Sequence, residues 1–532
     1  MKNIILPIVL FLVNIGMSQT PITSGTDWTV TNLANNSALL NPNTILYGPD
    51  DFLWITERVG KKVVKISPSG GAKIEMLDLS GLVYQSSGQD GLLGMTVHPD
   101  LYADINTTTN NYLYLLYTYN SSGPKFRIAR YTYNSATGKL NSGSATTIID
   151  GIEASNDHNS GKIVMGPDLK LYWTIGEFAN NRGSKACLEI RAQYLPTSPS
   201  DYSDYKGKML RLNLDGSIPS DNPTLNGVIS HVFSYGHRNA QGLVFGSNGK
   251  LYSSEHGDKT DDEINIIESG KNYGWPLIAG YNDDSGYAYC NWSSYPASCD
   301  SYSNLIDNCP GSAIEESTSA ASMPNFMPPI GTIDSTPATE PTGGTSSTWP
   351  TVAPSSIDIY EGGKIPDWGV SLLVPTLKAG KIFRTKLNAD GTALEDGTYE
   401  EFHSSSDRFR DVTIDPDGIT IYTITDAGAL VKLQFVGTPL SHSKFETNTI
   451  SVIPNPASNE IKLSFSANFK DALDVVIVDA YGRKIKEIQK ITNNYSVDTS
   501  KFSNGVYFVS LLDGDKKMMT KKIMTKKIII QR

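Results

Sequence analysis

Beyond its first twenty residues the chain has no apolar run long enough to cross a bilayer, which excludes a membrane-spanning helix from its body. Cysteine is scarce, with 4 in 532 residues and no Cys-x-x-Cys spacing, which argues against a thiolate zinc site and against a fold that depends on disulfides. Charge is sparse as well. Charged residues make up 19%, below the roughly 25% of an average soluble domain. There is no basic excess: 45 Lys and Arg against 55 Asp and Glu leave a net charge of −10, the wrong sign for a surface that contacts nucleic-acid phosphates. No amphipathic helical run of useful length appears, and the twelve-residue EF-hand order is missing.

What the chain does have is aromatic residues and turn formers. The 27 Tyr, 16 Phe and 7 Trp exclude a disordered chain, and 46 Gly with 28 Pro point to many turns and hence to β structure. Residues 1–18 read as a secretory signal, with one lysine, an apolar run over 4–13 and a cleavage point after Ser18. An exported chain can oxidise its thiols. Cys290, Cys299 and Cys309 lie in one loop-like segment and Cys187 stands alone, so four joined cysteines allow three pairings.

One pattern recurs between the ends: an apolar stretch, a Pro-Asp or Asn-Gly turn, then an apolar strand. It appears as LYGPDDFLWIT (46–56), TVHPDLYAD (96–104), VMGPDLKLYWT (164–174), VFGSNGKLYSS (244–254) and TIDPDGITIYTI (413–424), with a looser copy from Ile365. Irregular spacing excludes a short-repeat solenoid, and six turns predict an all-β, six-bladed propeller over residues 19–436. A polar linker over 437–450 leads to short alternating strands over 451–532, the pattern of a small β-sandwich. The alternation of Lys and Ile near the C-terminus predicts an edge strand with lysines facing water.

Several segments are too polar for their apolar surroundings. Asp157-His158 offers an imidazole base with a carboxylate beside it to fix its tautomer. Arg238, Asn239 and Gln241 stand together in YGHRNAQGL. Arg408 and Arg410, two apart on a predicted strand, point to one face, and two such guanidiniums repel unless an anion lies between them. Residues 253–289 mix carboxylates with Gly, Asn and Tyr, the oxygen-rich composition of hard-cation loops and also of polar surface loops.

In order along the chain, GQDGLLGMTVHPD (88–100), DHNSGKIVMGPD (157–168), KGKMLRLNLDGSIPSDNP (206–223), GHRNAQGL (236–243), DDEINIIESGKNYGWP (261–276), AGYNDDSGYAY (279–289), WPTVAPSS (349–356), LLVPTLKAG (372–380) and RFRDV (408–412) resemble the soluble pyrroloquinoline quinone (PQQ)-dependent glucose dehydrogenases of the glucose/sorbosone dehydrogenase family. The resemblance spans about residues 35–435. It implies a six-bladed propeller that uses PQQ and Ca²⁺ to oxidise aldoses to lactones, passes electrons to an external acceptor and forms a homodimer.

Carried over by motif, the resemblance implies His158 as general base with Gln89 as a substrate contact. It implies Arg238 and Asn239 at the reactive side of the cofactor, and Trp349, Thr351, Lys378, Arg408 and Arg410 as residues that hold this flat tricarboxylate. Gly257 and the carbonyl of Asp258 are implied ligands of a catalytic calcium. Glu263, Tyr273, Ala279, Tyr281, Asp283 and Glu316 are implied ligands of a structural one. There are departures. Glu177 replaces the family's aspartate beside the base, Asp258 replaces a proline, and Ser346 replaces a cofactor-side tyrosine. The PNP, YGR and NGVYFV motifs and the lysine-rich end of 451–532 resemble the C-terminal sorting domain of type IX secretion substrates, which implies export through the outer membrane by that machinery. A calcium-dependent lactone hydrolase and a glycan- or protein-binding propeller are the rival readings; neither explains why a base, a cation cluster and a calcium loop occur together.

Overall fold

The computed structural model describes residues 27–35, 38–180, 185, 188–278, 280–281, 289–291, 314–316, 323–333, 349–438, 450–465, 473–479, 483–491, 495–513 and 521–531. The chain divides into two units, Met1–Leu440 and Ser441–Arg532. The expected leader, Cys187, Cys299, Cys309 and Ser346 lie outside the described residues, as does the side chain of Cys290.

The first unit is built from six four-stranded antiparallel sheets. Blade 1 comprises Pro42–Tyr47, Leu53–Glu57, Lys62–Ile66 and Ile74–Asp78, and blade 2 comprises Leu92–Val97, Tyr112–Asn120, Pro124–Asn134 and Lys139–Glu153. Blade 3 uses Ile163–Met165, Leu171–Ile175, Lys208–Leu212 and Val232–Tyr235. Blade 4 uses Ala240–Phe245, Leu251–Glu255, Asp262–Ile267 and Gly331–Ile333. Blade 5 uses Asp358–Tyr360, Ser371–Pro375, Lys381–Lys386 and Glu400–Ser404. Blade 6 has Phe409–Ile414, Thr420–Thr425 and Leu430–Phe435, and its fourth strand, Trp28–Ala34, comes from the other end of the unit. The first strand of each blade touches the first strand of the next all the way round, so the sheets form the expected six-bladed ring.

The second strands of blades 1, 3, 4, 5 and 6 are buried along their whole length, because each blade is covered on both faces by its neighbours. That is why they read as continuous apolar runs rather than as alternation. Near the axis a buried ion pair ties four blades together. Lys162 Nζ reaches Asp411 Oδ2 at 2.8 Å and Ser356 Oγ at 3.1 Å, and the same Asp411 oxygen accepts the Ile45 N–H at 3.0 Å.

The recurring turns join the first and second strands of blades, and their own side chains hold them. Trp54 Nε1 donates to Asp50 at 2.7 Å, Tyr172 OH to Asp168 at 3.1 Å and Tyr422 OH to Asp415 at 2.9 Å, while Asn248 donates to Tyr252 OH at 2.9 Å. The glycine that opens three of these turns is required by close approach. A Cβ at Gly48 would stand 2.3 Å from Trp54 Nε1, and one at Gly166 would stand 2.7 Å from the Tyr172 ring. The copy at 96–104 differs from expectation. Pro99 at the first helical position, with His98 Nδ1 accepting the Asp100 N–H, starts a short helix over Pro99–Ala103, and the strand begins only at Tyr112.

The second unit has two antiparallel sheets around one apolar core that includes Ile461, Leu463, Val475, Ile477, Val509 and Ile528. Lys521–Ile530 is an edge strand, as its sequence predicts; Ile528 and Ile530 are buried with Ile529 exposed, and the lysine side chains lie outside the described residues.

Blade 6 closes by pairing Trp28 opposite Phe435, and the Trp28 ring packs 5.0 to 5.5 Å from Phe402, Trp368 and Phe435. Trp28→Ala therefore lowers stability by about 3–5 kcal/mol, read as a fall in the denaturant midpoint of the full chain.

Candidate active site

Most of the site residues expected from sequence occupy two equivalent positions in the blades, both at the same end of the ring. One is the segment that enters a first strand: it carries Gln89 in blade 2, Asp157 and His158 in blade 3, Arg238 and Asn239 in blade 4, Trp349 and Thr351 in blade 5, and Arg408 in blade 6. The other is the loop after a second strand, with Glu177 in blade 3, Gly257 and Asp258 in blade 4, and Lys378 in blade 5. The glycine-opened turns lie at the opposite end, since antiparallel strands alternate direction.

A cavity of about 520 Å³ at this mouth is lined by Gln89, Asp157, His158, Arg408 and Arg410, together with Arg58, Lys185, Leu377 and Asp426. His158 is buried, and its positive φ of 45° turns the ring toward blade 3, where Nδ1 lies 2.6 Å from Glu177 Oε1. A carboxylate at Nδ1 fixes the proton there and leaves Nε2 as the basic nitrogen. Glu177 is itself held, its N–H donating to the Arg238 carbonyl at 2.8 Å and its Oε2 accepting the Asn180 N–H at 3.0 Å. The close crossing needs Gly176, where a Cβ would stand 2.0 Å from the His158 carbonyl oxygen.

Asp157 does not orient the imidazole, contrary to the reading of adjacent residues. Its carboxylate accepts from Gln89 Nε2 at 2.5 Å and from the His158 N–H at 2.9 Å, so it joins the Gln89 and His158 segments instead. The anion expected between Arg408 and Arg410 is internal. Asp426 accepts from Arg408 Nε at 3.0 Å and from Arg410 Nε at 2.8 Å. Burial pushes the Asp426 carboxyl up, but Arg410 and Arg408 outweigh it and hold the carboxyl below its ordinary range. Arg410 Nη1 also donates to Gln241 at 3.1 Å, linking this wall to blade 4.

Beside the cavity, Glu255 shapes the segment with Arg238 and Asn239. One of its oxygens accepts both of their backbone N–H groups, and the other faces His237 Nδ1 at 2.9 Å. Arg238 is buried, donates to Asp258 Oδ1 at 3.0 Å and to the His256 carbonyl at 3.1 Å, and faces the Trp275 ring. Asn239 Oδ1 accepts from the Ser160 N–H and hydroxyl, each at 3.1 Å, and the His256 ring centroid lies 6.4 Å from that of His158. Thr351 Oγ1 donates to Asp262 at 2.8 Å, and Asp262 also accepts the N–H groups of Gly257 and Val352. Burial pushes the Asp262 carboxyl up to about 6, although these donors pull the other way. Lys378 Nζ donates to the Trp349 carbonyl, and the ring of Trp349 lies 5.4 Å from Lys259 Nζ.

The second expected metal set stands apart. Glu263 pairs directly with Glu255 across neighbouring strands, and its Oε1 accepts the Gly280 N–H at 2.7 Å, which brings in the segment with Tyr281. Burial and the nearby Glu255 push its carboxyl well above its ordinary value, and Asn265 Oδ1 is buried without a donor. Facing buried carboxylates and an orphaned carbonyl oxygen suit a hard cation, although among the described residues no three His, Cys, Asp or Glu converge on one point. Tyr273 instead spends its hydroxyl on the Ile266 carbonyl at 2.6 Å and stacks on His237. Ala279, Asp283 and the side chain of Glu316 lie outside the described residues. Sequence reading missed Arg58, Asp426 and Lys185. The first two directly follow the second strands of blades 1 and 6, in ITER and ITD, in the loop that carries Glu177 in blade 3.

A family model described as Glucose / Sorbosone dehydrogenase matches residues 39–298 and 331–432. A model described as a secretion system C-terminal sorting domain matches 451–531. Over 454 residues, 81% of this chain and 90% of the relative, the sequence is 40% identical to quinoprotein glucose dehydrogenase B of Acinetobacter calcoaceticus. The fold is shared with the PQQ-bound aldose sugar dehydrogenase of Streptomyces coelicolor, at a TM-score of 0.53 and 23% identity over 76% of this chain and 98% of that one. It is shared equally with the apo-form soluble aldose sugar dehydrogenase of Escherichia coli, at 0.54 and 24% over 77% and 99%.

Asp426→Asn leaves two guanidiniums facing each other and lowers stability by about 3 kcal/mol, measured by chemical denaturation. Because the folded protein holds this carboxyl below its unfolded value, the wild-type advantage is full above a pH of about 4 and is lost as pH falls through the lower, folded value.

Proposed function

The chain belongs to the glucose/sorbosone dehydrogenase family, and from that premise we propose that it is a PQQ- and calcium-dependent aldose dehydrogenase that oxidises the anomeric carbon to a lactone. The observation that carries this reading is the shared cavity: a base with a fixed tautomer stands in the same pocket as a wall of guanidiniums. Four cations (Arg58, Lys185, Arg408 and Arg410) face two carboxylates (Asp157 and Asp426) there, in a protein whose net charge is −10. That excess of positive charge fits a planar tricarboxylate cofactor.

His158 takes the proton of the anomeric hydroxyl on Nε2, and Glu177 on Nδ1 stabilises the imidazolium that results. Gln89, anchored by Asp157, orients the sugar beside the base. Arg408, Arg410, Lys378, Thr351 and Trp349 would hold the cofactor, with Arg238 and Asn239 at its reactive side. Bound PQQ would supply a two-electron hydride acceptor for the sugar carbon, re-oxidised by an external acceptor, and Gly257 with the carbonyl of Asp258 would hold a Ca²⁺ that supplies Lewis acidity. A structural calcium belongs at Glu263, with Tyr273, Ala279, Tyr281, Asp283 and Glu316 as the remaining candidates. We divide the chain into a leader at 1–18, a catalytic propeller at 19–436, a linker at 437–450 and a sorting domain at 451–532. The sorting domain marks the protein for export through the outer membrane, to the cell surface or beyond.

The test is reconstitution of the metal- and cofactor-free chain with PQQ and Ca²⁺, following dye reduction over a panel of aldoses. Turnover is expected only with both additions and is lost again on calcium chelation; absence of PQQ binding would overturn the reading. His158→Ala is expected to lower kcat by roughly 100- to 10,000-fold with PQQ affinity kept, and unchanged turnover would remove His158 from the base role.

A further inference from the structure

Among the described residues, Arg58 and Lys185 are the two cations of the cavity wall with no carboxylate in ion-pair reach, and Lys185 closes on Ser155 and the Phe178 carbonyl. Arg58 follows the second strand of blade 1 and is 8% exposed. Its fork is spent on neutral oxygens: Nε and Nη2 donate to Asn41 Oδ1 at 3.1 and 2.5 Å, and Nη1 donates to the Gly88 carbonyl. Arg408 and Arg410 share Asp426, so that anion is already taken. Burial and the nearby charges of Arg410 and Arg408 push Arg58 down to about 10, against the pull of Asp426 and Asp90, so it remains charged at neutral pH. A buried guanidinium with only neutral acceptors, sharing a cavity wall with two others, is a site made for an anion.

We propose that Arg58 is the third guanidinium of the cofactor-holding wall and supplies positive charge to a carboxylate of the bound quinone. This rests on the quinoprotein reading above. Through the Gly88 carbonyl, Arg58 also fixes the residue next to Gln89, so the cation that holds the cofactor sets the position of the substrate contact as well.

The experiment measures PQQ affinity of the cofactor-free full chain, by calorimetry across a salt series, for the wild type, Arg58→Gln and Arg58→Lys. Losing one charge-assisted contact is expected to weaken binding roughly 10- to 100-fold in Arg58→Gln and to flatten the salt dependence, while Arg58→Lys keeps most of the affinity and the slope. Equal affinity in the wild type and Arg58→Gln would overturn the assignment. So would a Lys variant as weak as the Gln variant with the same flattened slope, which would mark Arg58 as a purely structural brace. Failure of the wild type to bind PQQ would instead overturn the quinoprotein reading on which the assignment stands.

Discussion

The pairing of Trp28–Ala34 with Leu430–Phe435 is the contact on which the rest of the molecule depends. Each blade alone is a four-stranded sheet with two apolar faces, which is stable only between neighbours. Five blades in an open row would leave two such faces bare, and the sixth is incomplete until the N-terminal strand supplies its outer edge. Closure also creates the site. His158, the guanidinium wall and the Gly257–Asp258 loop come from different blades, and they meet because the ring brings every entering segment to one axis. The Lys162–Asp411 pair does the same work at the centre, tying blades 1, 3, 5 and 6 with a single buried charge pair.

Charge in this protein is used in matched sets. Asp411 answers Lys162, Asp426 answers Arg408 and Arg410, Asp258 answers Arg238, and Glu177 answers His158. Buried charges survive only when paired and hydrogen-bonded, so the places where matching stops are informative. Arg58 and Glu263 are two such places among the described residues. Arg58 donates only to neutral oxygens, and Glu263 stands opposite Glu255 on the neighbouring strand, where it accepts from the Asn265 amide and the Gly280 N–H. A guanidinium on neutral acceptors and two buried carboxylates on facing strands fit the polycarboxylate cofactor and the calcium ion proposed above.

The architecture was legible because the glycine-opened turn is a local device. Gly48 and Trp54, or Gly166 and Tyr172, make contacts that a short stretch of sequence contains whole. The same locality explains what was hidden. Those turns mark the end of the ring away from the cavity, whereas the site is assembled from residues hundreds of positions apart. His158 was visible as a polar residue among apolar ones, but its partner Glu177 was named only through the family resemblance, and the neighbouring Asp157 drew a role that Glu177 fills at Nδ1. Arg58 and Asp426 each follow an ordinary strand, and nothing local separates them from a solvated charge. Comparing the blades position by position would have found them, since Glu177, Lys378 and Asp258 occupy the same kind of loop.

The closing strands also set the order in which the molecule is made. Thr29 and Gln434 stand 405 positions apart in the chain and side by side in the sheet. Contacts of such long range form slowly, because the ends of a long loop must find each other before any pairing rewards them. A chain emerging N-terminus first has no complete ring until Phe435 is free, and the sorting domain is the next segment to appear. The export address is therefore synthesised last, after every residue the ring needs, so that a truncated chain lacks its address whether or not its blades have begun to fold.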